Sequence, residues 1–173
     1  MEQQKTIKAS ERAMFYGTLF GLYTIITNIA YITGLRVPFC STLFLVLFIA
    51  SPFVAGKLAA TFRKREAGNH IGYAHAWFFL LTMYLCSAIL TAIAQFIYFL
   101  LIDNGFFMEF IQEQFAQIAS MEGIDEAMKE EFAATATLLK AMSPREIIMQ
   151  IFSTNIIVSP FITAIIAIFV RKK

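Results

Sequence analysis

Cysteine and histidine each occur twice in these 173 residues, tryptophan once and proline four times. Two lone cysteines, Cys40 and Cys86, sit in different apolar runs, so neither a disulfide framework nor a Cys/His metal spacing is present. They read as small apolar core residues. His70 and His75, five apart, would point about 140° away from each other on one helix and share a metal poorly. His70 reads as an interfacial polar residue and His75 as hydrogen-bonded inside the bundle. No cofactor and no metal is expected.

Charge is the more telling shortage. Residues 13–35, 37–56, 71–102 and 147–170 contain no Asp, Glu, Lys or Arg. About twenty apolar residues cross a ~30 Å hydrocarbon core, and all four runs meet that length. With 58% hydrophobic and 15% charged residues, the chain falls in the membrane class, and a water-soluble core would not need such runs. The third, at 32 residues, must tilt or project beyond the lipid. The first is too long for the core of a signal peptide and no cleavage site follows it, so it reads as a retained anchor. No carboxylate lies in any of the four, which argues against a proton or sodium relay.

The fold expected is an all-α polytopic bundle of four transmembrane helices (about 13–35, 37–62, 71–102 and 147–170). A cytoplasmic N-terminal segment (1–12), an acidic helical insert (103–146) and a basic tail (171–173) complete it. The insert carries nine acidic and three basic residues, whereas three acids and eleven bases cover the rest. Lys5, Lys8 and Arg12 precede the first run, and Arg63, Lys64 and Arg65 follow the second, with Lys57 able to snorkel. Arg171, Lys172 and Lys173 follow the fourth. Positive charge is retained in the cytoplasm, which predicts both termini inside and the insert outside.

Two segments 108 residues apart align without a gap: Ile49-Ala-Ser-Pro-Phe53 through Arg63-Lys64, and Ile157-Val-Ser-Pro-Phe161 through Arg171-Lys172. Duplication of a two-helix hairpin, giving a two-plus-two repeat, and convergence both account for the match. On either origin Pro52 and Pro160 remove a helical hydrogen bond and bend their helices, while Ser51 and Ser159 can bond the preceding turn. Asn28, Gln95 and Asn155 each lie seven or eight residues from one end of their runs, an expected shared polar layer. Gly17 and Gly21 form a GxxxG, and Gly56 lies among small residues; both permit close helix contact, within the chain or with a partner.

The insert is patterned. Phe107, Phe110, Ile111, Ile118 and Met121 share one helical face opposite Glu109, Glu113 and Gln117. After Gly123 a second stripe comprises Ile124, Met128, Phe132, Leu138, Leu139 and Met142, opened by Asp125 and Glu126 and closed by Lys140. Ser143-Pro-Arg-Glu146 reads as an N-cap, a proline at the first helical position and a capping-box glutamate. An acidic surface helix suits a protein partner better than anionic lipid. The stripes should pack on each other, on the spans or on a partner, and Glu131, inside the second stripe, is the candidate partner contact.

The segment Phe62-Arg-Lys-Arg-Glu-Ala-Gly-Asn-His-Ile-Gly-Tyr-Ala-His-Ala-Trp77 resembles a family of uncharacterised Bacteroidetes membrane proteins, domain of unknown function 4199. The resemblance covers nearly the whole chain and rests on four spans, a basic turn with a glycine, the span entry Ile71-Gly-Tyr-Ala-His-Ala76, an acidic helical insert and a basic end. It implies a bacterial inner membrane and carries over no functional residue. The expected role is a non-enzymatic accessory or scaffold subunit, in contact with membrane lipid and with a protein partner or a second copy, and not with nucleic acid. The runner-up is a small carrier or lipid-handling protein working at the Asn28, Gln95 and Asn155 layer; an enzyme built around His75 ranks third.

Overall fold

The computed structural model describes residues 2–119 and 125–172. Met121, Gly123 and Ile124 lie outside the described residues, as do the side chains of Lys5, Lys8, Leu139, Lys140 and Lys173. Six helices follow one another among the described residues: α1 (Glu2–Gly34), α2 (Pro38–Arg65), α3 (Tyr73–Leu101), α4 (Phe106–Ala119), α5 (Glu126–Ala141) and α6 (Pro144–Val170). Among the described residues there is no strand, only an isolated antiparallel bridge between Ile71 and Lys172. Four helices among the described residues are long and apolar enough to cross a membrane: Ser10–Gly34, Pro38–Arg65, Tyr73–Leu101 and Arg145–Val170. Helices satisfy their own backbone polar groups, which lipid requires. They outrun the charge-free stretches at Glu2, Arg65 and Pro144 because absence of charge marks the part matched to hydrocarbon, not where the helix stops.

The chain divides into two compact units, Met1–Ala94 with Ile151–Lys173, and Gln95–Gln150. In the first, the core gathers where the ends of α2, α3 and α6 meet the middle of α1. Ala13, Tyr16 and Phe20 of α1 meet Ala55, Ala59 and Phe62 of α2. Ala76, Phe79, Leu80 and Met83 of α3 and Ile166, Ala167 and Val170 of α6 complete it. The rings of Phe62 and Phe79 stack at 4.1 Å, and Tyr16 stands edge-on to both. The small residues have a plain role. A Cβ on Gly17 would fall 2.7 Å from Cys86 Cβ and 2.9 Å from the Met83 carbonyl, and one on Gly21 would fall 2.8 Å from Leu90 Cδ1. The GxxxG therefore seats α1 on α3 of the same chain. Gly56 is looser, with Ile166 Cγ2 at 3.6 Å from its would-be Cβ.

Both prolines lie inside helices, Pro52 in α2 and Pro160 in α6. Pro160 has no N–H for the Ile156 carbonyl, and Ser159 Oγ donates to that oxygen instead, at 3.2 Å. Ser51 faces Tyr84 of α3. Tyr23 of α1 donates to the Leu47 carbonyl in the turn before Pro52. The two Ser-Pro-Phe steps share an outward phenylalanine, Phe53 and Phe161, and differ in what the serine meets.

In the second unit the end of α3 turns through Asp103-Asn-Gly105 into α4. Asn104 and Gly105 take positive φ, the backbone that Asn and Gly adopt most readily. Asp103 is buried, and both its carboxylate oxygens lie within reach of the Phe107 amide, at 3.2 and 3.3 Å. From two residues before the N-cap position, which Gly105 occupies, the carboxylate thus satisfies one of the first free amides of α4. α4 and α5 pack on each other, with Phe115 and Phe132 at 5.9 Å between ring centroids; Phe115 lies outside the stripe expected on α4, and Met128 and Leu138 of the second stripe are exposed. At the start of α6 the Ser143 amide donates to Glu146 Oε2 at 2.6 Å and the Glu146 amide to Ser143 Oγ at 3.4 Å, a reciprocal capping box.

Candidate functional site

The first unit ends in a basic clasp made by the last turn of α2, the 66–72 loop, the start of α3 and the end of α6. Arg63, Lys64 and Arg65 occupy the last turn of α2, where positive charge complements the helix dipole. A helix leaves its last carbonyls without intrahelical donors, and Arg63 Nη1 donates to that of Val170, the final residue of α6. Past α2 the chain reverses through Gly68 and Asn69, both at φ 63°, which lets the Asn69 amide donate to the Arg63 carbonyl at 2.9 Å. Ile71 and Lys172 then exchange two backbone hydrogen bonds, each 3.0 Å.

Glu66 joins α1 to this loop. Its Oε2 lies 3.0 Å from Arg12 Nε, and Tyr16 donates to Oε1 at 3.4 Å. Trp77 Nε1 donates to the Pro160 carbonyl at 3.2 Å, and Tyr73 to that of Ala164 at 3.4 Å, which fastens α3 to α6. Among the described residues the buried atoms Arg63 Nε and Asn69 Oδ1 have no hydrogen-bond partner. Around them Lys64, Arg65, Arg171 and Lys172 are exposed, and among the described residues none of the four makes an ion pair. The charge pattern placed basic clusters beside three spans; the backbone pairing, the cap on α6 and the role of Glu66 had no signature in residue type or spacing.

The remaining candidates are distributed differently. Asn28 and Asn155 each donate to the carbonyl four residues back, Thr24 at 2.9 Å and Ile151 at 3.0 Å, and Asn155 is exposed. Gln95 is buried and falls in the second unit. A cluster the sequence did not advertise joins α1 to α3: Thr24 Oγ1 lies 3.0 Å from Ser87 Oγ and 2.8 Å from Thr91 Oγ1. Glu131 is exposed on α5. His70 and His75 are both exposed, and for His75 this corrects the expected place inside the bundle. Ala76, Phe79 and Met83 set the buried face of α3, and His75 falls on the outward face with Phe78. Among the described residues no group of three His, Cys, Asp or Glu side chains is placed to hold a metal.

The arrangement clamps helix ends and presents unpaired positive charge beside them. No curated protein and no solved structure matches the chain. A family model described as a protein of unknown function (DUF4199) matches residues 15–172, from the first turns of the apolar part of α1 to the paired Lys172. The clasp, built from the Phe62–Trp77 stretch and the end of α6, lies almost wholly inside that match, and the chain belongs to this family.

Proposed function

We propose that this membrane protein is a non-enzymatic accessory or scaffold subunit of a bacterial inner membrane that docks a membrane or periplasmic protein through its α4–α5 insert. The observation that supports this is the finish of the insert. The first turn of α4 is held by Asp103 and α4 packs on α5, yet Met128 and Leu138 remain 52% and 69% exposed. Glu126, Glu130 and Glu131 flank them at the surface. In a segment too charged for hydrocarbon, outward apolar side chains with an acidic surround suit a protein surface that offers apolar and basic groups. The positive-inside rule supports placing both termini in the cytoplasm and the insert on the far side.

Purification of the full chain in mild detergent, with a photo-crosslinking residue at Leu138, tests the docking role. A stoichiometric adduct that Met128→Asp removes is the expected result. A monomer without adduct would count against it. Labelling of single cysteines at Glu131 and Arg171, in a chain lacking Cys40 and Cys86, tests the orientation, and both positions reacting from one side would overturn it.

A further inference from the structure

We propose that the clasp is a binding site for the headgroups of anionic phospholipids. Lys64 and Arg65 come from the end of α2, and Arg171 and Lys172 follow α6. The Arg63 bond to Val170 and the reciprocal Ile71–Lys172 pair hold the two segments side by side. The two basic segments are thus joined by bonds to the main chain, and all four cations on them are exposed. The acid in the same loop does not neutralise them, because Glu66 is engaged by Arg12 and Tyr16. The surface is also open: a Cβ on Gly68 or on Gly72 would meet nothing within 4 Å. Both segments end apolar helices long enough to span a membrane, so the cations lie where hydrocarbon gives way to headgroups. Lys and Arg at that level attract anionic lipid, about fivefold in local preference for each cation that engages. The occupant is a lipid of the surrounding leaflet, and this inference is independent of any partner on the insert.

Trp77, the single tryptophan, reports on this end of the molecule. The full chain is reconstituted in phosphatidylcholine bilayers containing brominated phosphatidylglycerol or brominated phosphatidylcholine, and quenching of Trp77 fluorescence is compared. Wild type should favour the anionic quencher by about fivefold or more. The preference should fall as sodium chloride is raised and approach one in the K64Q/R65Q/R171Q/K172Q variant. R65K/R171K should retain it, and the salt titration of wild type reads the same electrostatics without any change in the fold. Equal quenching by the two lipids in wild type overturns the proposal, as does a preference that survives the four glutamines. So does potassium phosphate abolishing the preference where chloride at equal ionic strength does not, since that would make the ligand free phosphate.

Discussion

The guanidinium of Arg63 donates to the main-chain carbonyl of Val170, so the last turn of α2 caps the end of α6 across 107 positions of sequence. This bond does for α6 what a C-terminal glycine motif does elsewhere, with a charged donor. A hydrogen bond to a charged group is worth about 1.5–3 kcal/mol. Arg63→Gln should destabilise the full chain by about that much in thermal unfolding in detergent. Glu66→Gln should cost less, about 0.2–1 kcal/mol, because the Arg12 side chain it pairs with is 58% exposed. If Glu66→Gln proves the more damaging change, the clasp is held by its ion pair and not by the cap.

The glycines give a sharper contrast. Gly17→Ala would drive a methyl to 2.7 Å from Cys86 Cβ and 2.9 Å from a carbonyl on α3, contacts that backbone movement must relieve. Such overpacking costs about 1–3 kcal/mol. Gly56→Ala meets only a methyl of Ile166 at 3.6 Å and adds a better helix former, so it should be neutral or stabilising by up to about 1 kcal/mol. Unfolding midpoints of the two variants check both signs, and equal effects would contradict the α1–α3 seat.

How much of this was legible follows from which interactions leave a trace in local sequence. The four spans, the apolar stripes and the Ser143–Glu146 box depend on neighbours within a few residues, and periodicity displays them. The seat of Gly17 against Cys86 is a contact between distant segments, so its spacing announced close packing without naming the partner. A shared polar layer is expected at Asn28, Gln95 and Asn155 because amides stand out in apolar runs. Thr24, Ser87 and Thr91 do not, since a threonine that returns its hydroxyl to its own helix passes as apolar. The Ile71–Lys172 pairing joins main chain to main chain and has no side-chain signature at all.

That hydroxyl cluster carries its own prediction. Thr24→Val keeps shape and removes the oxygen shared with Ser87 and Thr91. Interhelical hydrogen bonds in membranes contribute about 0.6–2 kcal/mol, and thermal unfolding should show a loss in that range. Asn155→Leu should change stability little, since that amide is exposed and bonded to its own helix. A large loss at Asn155 together with none at Thr24 would favour the amide layer, and with it the carrier reading.

The insert can be unfastened without touching an apolar contact. Asp103 is 6% exposed and holds the Phe107 amide at the start of α4, beside Asn104 and Gly105 in left-handed backbone. Asp103→Ala removes that bond at a cost comparable to losing a capping side chain, about 0.5–2 kcal/mol, confined to α4 and its contact with α5. Hydrogen exchange should therefore quicken in the first turn of α4, by up to about thirtyfold for the upper figure, while amides around Phe62 and Phe79 keep their rates. Ser143→Ala is the matching change for α6 and should loosen the amide of Glu146 in place of Phe107. Because each side chain serves one helix, the two effects should add in the double variant. Marked non-additivity would show that the insert opens as one piece, and a partner docked on Leu138 would then stabilise both helix starts together.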